Sequence, residues 1–158
     1  MSRSGGQTIL MFAAKNGRRD TVEWLLQAGA KVDHVSSLYS ALAFAAEGGH
    51  TETVEVLLQA GAEVDHANYW GETALMFAAR HGRTATVQAI LNAGPRIDQG
   101  RSDGWNALLF AHAYGHAGTV QVLLDAGANK GVLSRWDGKL DTRIEMGPPY
   151  VQSKPRRR

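Results

Sequence analysis

The side chains in this chain that could carry chemistry are histidines and carboxylates, since it holds six histidines and fifteen acidic residues but no cysteine. His112 and His116 stand four apart, the spacing that puts two imidazoles on one helical face for zinc. Gly115 lies between them and is expected to end the helix first, so His116 falls off that face. His34 and His66 have no obvious second ligand. Asp33, Asp65 and Asp98 return at intervals of 32 and 33 residues, which is the mark of a recurring unit and not of a carboxylate pair assembled for acid and base work. The glycines are spread along the chain instead of clustering before a helix with a lysine, so no phosphate loop is present. The absence of cysteine excludes a disulfide framework, thiol catalysis and a zinc ribbon. The reading is a protein that is not an enzyme, with no catalytic residue, no metal, no cofactor and no small-molecule substrate.

What spaces the aspartates also spaces everything else. The pattern Leu-x-Phe-Ala, Gly, Thr-Val-x-x-Leu-Leu, Ala-Gly occurs four times in phase. It can be followed through Leu10, Phe12, Gly17, Thr21 and Val22, then Leu42, Phe44, Gly49, Thr53 and Val54. The third and fourth copies run through Leu75, Phe77, Gly82 and Val87, and through Leu108, Phe110, Gly115 and Val120. All four phenylalanines occupy one position of the unit. A period of 32 to 33 residues marks a solenoid, in which each unit buries its apolar face only against its neighbours.

The residue types within a unit assign its parts. Thr8, Ser40, Thr73 and Asn106 each precede a short apolar run, and each has a side-chain oxygen that can cap a helix by accepting an orphan backbone N–H. Leu10, Ala13 and Ala14 then fall on one face at i, i+3 and i+4, with alanines small enough to admit a close neighbour. Gly17, Gly49, Gly82 and Gly115 end this first helix. A second helix carries Val22, Leu25 and Leu26 inward and ends at Gly29, Gly61, Gly94 and Gly127. The residues after Asp33, Asp65 and Asp98 then form a protruding turn, for which Gly71 and Gly104 are suited.

The stretch Gly71-Glu72-Thr73-Ala74-Leu75-Met76-Phe77-Ala78-Ala79-Arg80-His81-Gly82 resembles the first-helix signature of ankyrin repeats. Val54-Glu55-Val56-Leu57-Leu58-Gln59-Ala60-Gly61-Ala62-Glu63-Val64-Asp65 resembles their second helix and exit. The resemblance covers about residues 6–131 and implies an all-α, ankyrin-type solenoid of stacked helix-turn-helix repeats with protruding hairpin turns. It divides the chain into an N-terminal stub over 1–5 and repeats over 6–37, 38–69, 70–102 and 103–134, with an aborted fifth repeat and basic tail over 135–158. His50 and His116 follow the mid-repeat glycines where the ankyrin pattern usually has His, which assigns them a structural role. The family's Thr-Pro-Leu-His is missing its Pro and its His in all four copies, so softer hairpins are expected. The second hairpin is one residue short, with Leu38 in place of its glycine.

Composition agrees with one soluble repeat domain: 158 residues at 44% hydrophobic content supply material for a core. No apolar run approaches a membrane span or a secretion signal, and an intracellular site is expected, cytoplasmic or nuclear, or within an organellar complex. Lys154, Arg156, Arg157 and Arg158 account for four positive charges, so the formal +2 of the whole chain leaves −2 over residues 1–153. The repeats themselves are therefore no polyanion platform. Nucleic acid is unlikely as a partner except through those four tail residues. Pro148-Pro149-Tyr150 falls short of a full Pro-Pro-x-Tyr ligand motif.

Ankyrin proteins as a family bind other proteins through the hairpins and the concave face of the first helices, so the resemblance implies a protein partner. The hairpins here hold Tyr39, Tyr69, Trp70, Asp103, Trp105 and Trp136, and the first-helix ends add Arg80, His81 and Tyr114. Exposed turn aromatics have no folding duty and are enriched among binding hot spots. The alternative is that these rings shield the helices beneath. On the binding reading, replacing Trp70 or Trp105 by Ala weakens partner affinity by about 2 kcal/mol or more with little loss of stability. The first repeat lacks a polar outer face: Ile9 and Phe12 sit in an apolar helix, and Trp24 stands where later repeats have Val56, Ala89 and Val122. Either this N-terminal face docks on something, or it is where a longer array continues, or Trp24 folds down as its own cap. The reading is an adaptor or scaffold, as a subunit of a larger assembly. Its rivals are the targeting arm of a longer ankyrin-containing enzyme and a nucleic-acid-associated accessory protein acting through its basic tail.

Overall fold

A computed structural model describes residues 7–36 and 38–136 of the chain. Eight helices pair in order, α1 (Ile9–Lys15) with α2 (Arg19–Gln27), α3 (Ala41–Gly48) with α4 (Thr51–Gln59), α5 (Ala74–Arg80) with α6 (Thr84–Asn92), and α7 (Ala107–Ala113) with α8 (Ala117–Asp125). A short α9 (Gly131–Trp136) follows and packs on α7. The first helices α1, α3, α5 and α7 stack in one row and the second helices in another, giving a two-layer solenoid.

Each first helix begins where the sequence places it. The Thr8, Ser40, Thr73 and Asn106 side chains accept hydrogen bonds from the backbone N–H of Met11, Ala43, Met76 and Leu109, each three residues on. The stacking face is alanine-rich, with Ala14, Ala45, Ala46, Ala78, Ala79 and Ala111 fully buried between helices. Small residues there let two layers approach until leucines and phenylalanines alongside close the gaps.

The second helices start differently. Arg18, His50, Arg83 and His116 occupy their N-cap positions, yet none caps its own helix with its side chain. Three of them reach back one repeat instead: the His50 Nε2–H donates to Lys15 O at 3.0 Å, Arg83 Nε to Glu47 O at 3.2 Å and the His116 Nε2–H to Arg80 O at 2.9 Å. Each fills an orphan carbonyl near the end of the preceding first helix. Gly82 shows how tightly that contact is made. It has φ +63°, and a Cβ there would lie 2.5 Å from His116 Nδ1.

Two more contacts recur with the repeat. Hydroxyls pair across layers, Thr51 with Thr86 and Thr84 with Thr119, both at 2.8 Å. The aspartates accept from the next repeat's backbone at 2.9 Å: Glu63 N–H donates to Asp33 Oδ1, Arg96 N–H to Asp65 and Asn129 N–H to Asp98. The recurring carboxylates thus staple the layers together. Three hairpins are closed by single antiparallel bridges, Val35 with Ser40, Ala67 with Thr73 and Gly100 with Asn106. In the short one, between Val35 and Ser40, the Ser36 hydroxyl donates to Tyr39 O and accepts from Tyr39 N–H.

One expectation needs correcting at the C-terminal end. Arg135 and Trp136 were expected to open a fifth hairpin, but they lie in the last turn of α9. The helix begins on an Asn129 turn, where the Asn129 side chain accepts from Gly131 N–H. The rest of the expected aborted repeat and the basic tail, including Lys154, Arg156, Arg157 and Arg158, lie outside the described residues, as does the N-terminal stub. Among the described residues no helix is long and apolar enough to cross a membrane.

Candidate interaction surfaces

The residue directly before each first-helix cap decides what the hairpin above it becomes. These residues are Gln7, Tyr39, Glu72 and Trp105. Tyr39 lies flat on Phe44, with ring centroids 4.3 Å apart and planes 9° apart, and also meets Phe77 at 5.0 Å. Trp105 leans on Phe110 at 4.9 Å and is only 8% exposed. Such ring pairs stabilise beyond the area they bury. The expectation that Trp105 is an exposed binding aromatic is therefore corrected: the chain folds it inward over the phenylalanine row. A small stability effect of its removal is no longer expected.

Glu72 takes the same position in the third repeat and is almost wholly buried. Its Oε1 accepts from Arg80 Nη1 at 3.2 Å and from Arg101 Nη1 at 3.0 Å, and its Oε2 accepts from Asn68 Nδ2 at 3.1 Å. Arg80, placed by its position at a first-helix end among the partner-binding residues, is 6% exposed and spans Phe77 and Phe110, at 4.9 and 5.4 Å from the ring centroids. Its expected exposure is corrected as well. A guanidinium can be buried when a carboxylate neutralises it and aromatic faces flank it. Arg101 continues the network to Asp103 Oδ2 at 2.8 Å. Glu72 and Arg101 were not singled out from the sequence. The signal was the alignment of Glu72 with Tyr39 and Trp105, which pack their rings on Phe44 and Phe110 from this register.

Among the hairpin aromatics, exposure is concentrated in the hairpin closed by Ala67 and Thr73. Tyr69 is 88% exposed and stands edge-on to half-buried Trp70, with centroids 6.0 Å apart. Its platform is fixed. Asn68 Oδ1 accepts from Trp70 N–H at 3.0 Å and Glu72 N–H at 2.9 Å, and Asn68 Nδ2 donates to Leu38 O of the preceding hairpin at 3.2 Å. Gly71, at φ +81°, makes the reversal beneath Arg101, whose Cα would be 3.2 Å from any added Cβ. Below this tip, His81 Nδ1 contacts Phe77 O at 3.0 Å and its Nε2 faces Glu47 at 4.0 Å. Asp103 is exposed in the next hairpin, where it also accepts from Trp105 N–H. Half-buried Tyr114 lies beside Phe110, and burial pushes its phenol above the ordinary range while nearby Arg80 pulls it back. The structure thus brings Tyr69, Trp70, His81 and Asp103 onto the hairpin and inner-helix side, with Tyr39 and Tyr114 showing edges. Trp136 belongs to α9, and its side chain is outside the described residues.

At the other end, Ile9, Phe12 and Trp24 are 72%, 66% and 65% exposed. Trp24 is not folded down as a cap. Among the described residues no three His, Asp or Glu side chains gather as a metal-binding group. His112, in the last turn of α7, and His116, at the α8 cap with Nε2 on Arg80 O, are separated by Gly115 at φ +76°.

A family profile described as ankyrin repeats, in three copies, matches residues 1–68 and 42–133. No curated protein matches the chain closely enough to add a relative.

Proposed function

Because the chain belongs to the ankyrin-repeat family, whose repeats are generally protein-interaction modules, we propose that it is a non-catalytic adaptor or scaffold, a subunit of a larger assembly. It would engage a protein partner on the hairpin and inner-helix side. The observation that carries this is the Tyr69 and Trp70 pair: an aromatic tip held in place by Asn68, with the Tyr69 ring open to solvent and Trp70 half-buried beneath it. A pre-positioned aromatic costs little entropy to bury in an interface, which is why such residues become anchors. The surface beneath is mixed in charge, with Lys15, Glu47 and His81 along the helix ends, and suits a polypeptide better than a polyanion.

A photo-crosslinking residue placed at Tyr69, and as a control at exposed Gln88 on the outer layer, tests this in the native source. The expected result is adducts to one polypeptide from position 69 and none from 88. Equal labelling from both positions would contradict it, and nucleic-acid adducts would favour the accessory-protein reading.

A further inference from the structure

Asn16 and Gly17 end the first helix and form part of its joint to the second repeat. Asn16 is the C-cap of α1, at φ −94° and ψ 6°, and Gly17 follows at φ +63°. The His50 Nε2–H donates to Lys15 O at 3.0 Å, and the same ring lies so close over Gly17 that an added Cβ there would stand 2.5 Å from Nδ1. One imidazole of the second repeat therefore holds the backbone of the first on both sides of Asn16. The Asn16 side chain adds a further fixing, its Nδ2 donating to Phe12 O at 2.7 Å. His81 makes the corresponding contact with Phe77 O in the third repeat. Gly48, His81 and Tyr114 stand in the register of Asn16, so only the first repeat places an asparagine before the mid-repeat glycine.

We propose that Asn16–Gly17 is a self-modification site whose conversion to isoaspartate releases the first repeat from the second. Asparagine is a thermolabile residue, most of all before glycine, where no side chain hinders the following backbone nitrogen from reaching the amide carbon. Asn68, Asn92, Asn106 and Asn129 are each followed by a residue with a side chain. The Gly17 nitrogen, having lost its proton, attacks Asn16 Cγ and closes a five-membered succinimide. The Cγ–Nδ2 bond breaks, and ammonia leaves carrying a proton. Water then opens the ring at either carbonyl, to aspartate or to isoaspartate. In isoaspartate the main chain runs through the former side chain and is one carbon longer between Lys15 O and Gly17, so His50 cannot keep both of its contacts. Aspartate keeps the chain length, but its carboxylate cannot donate to Phe12 O and is repelled by the C-terminal end of the helix dipole.

The fold holds this reaction in check. Ring closure needs ψ of Asn16 to turn far from 6°, until the Gly17 nitrogen eclipses the side chain. That turn breaks the Asn16 Nδ2 bond to Phe12 O, the Gly17 N–H bond to Ala14 O at 3.1 Å and the Arg18 N–H bond to Ala13 O at 3.0 Å. Asn16 is exposed, so water reaches the succinimide, and opening the last turn of α1 suffices without global unfolding. This inference does not rest on the hairpin reading.

The test ages the full chain at neutral pH, both native and in urea, and maps by mass spectrometry the gain from amide to acid at each asparagine. In urea Asn16 should convert ahead of every other asparagine, and in the native chain at least about tenfold more slowly than in urea. Asn16→Gln should abolish the gain in that segment. The isoaspartyl chain is then separated, refolded beside unreacted chain from the same urea, and compared with it by hydrogen exchange. Its α1 and α2 should exchange at least about tenfold faster than those of unreacted chain, with α5 and α7 unchanged. Equal rates at Asn16 in native and unfolded chain overturn the proposal, as does earlier conversion of another asparagine or unaltered exchange in α1. Failure of the isoaspartyl chain alone to refold overturns it too, because the site would then govern the whole fold and not the first joint.

Discussion

The joint between the third and fourth repeats and the open face of the first repeat are built from the same register positions, and they end in opposite conditions. At the joint, Phe77 and Phe110 are buried, a guanidinium lies between them, and Glu72 draws in Arg80 and Arg101. At the open face, Phe12 stands in solvent and Gln7 occupies the register of Glu72. A residue's place in the repeat sets its geometry, and its neighbouring layer sets its energy. This is the nearest-neighbour logic of a solenoid: the joint is a structural clamp, and the same positions at the first repeat stay exposed.

Removing Glu72 is the hardest blow to that contrast. Glu72→Ala leaves Arg80 buried without its carboxylate, and urea denaturation should show a loss of about 3–5 kcal/mol. A loss below 1 kcal/mol would mean that the clamp is ornamental. Two tryptophans give the sharpest paired comparison. Trp105→Ala should cost about 3–5 kcal/mol because it empties the space over Phe110, while Trp24→Ala at the open face should stay within about 0.5 kcal/mol. Equal effects would erase the distinction between the joint and the open face.

Smaller effects sharpen it further. Asp65→Ala removes the acceptor for Arg96 N–H and should cost about 0.5–1.5 kcal/mol. Tyr69→Ser at the hairpin tip should leave the thermal midpoint nearly unchanged, within about 0.5 kcal/mol, while removing partner crosslinking. A large stability loss there would make Tyr69 a packing element.

The architecture was legible because every layer repeats the same signals. Cap residues, helix-ending glycines and buried alanines each stand where the 32 to 33 residue period puts them, and independent copies reinforce one another. The failures fell on residues whose role depends on what lies above or beside them. Trp105 looked exposed because hairpins usually are, yet its place just before the Asn106 cap aims it at Phe110. Arg80 looked exposed because it stands at a first-helix end, and only the fold sets Glu72 against it and brings Arg101 from the next hairpin onto the same carboxylate. Those contacts join residues 8 and 29 positions apart, which no period in the sequence announces. At the first repeat, the apolar outer face read from Ile9, Phe12 and Trp24 is exposed among the described residues.

Native-state hydrogen exchange of the full chain tests the central contrast most directly, since it reads the opening free energy of each helix in one molecule. Clamped α5 and α7 should exchange slowest, at the limit set by global unfolding, while α1 and α2 should exchange faster by at least tenfold. Protection of α1 equal to that of α5 would contradict the account, because the open face would then be as firmly held as the joint it is contrasted with.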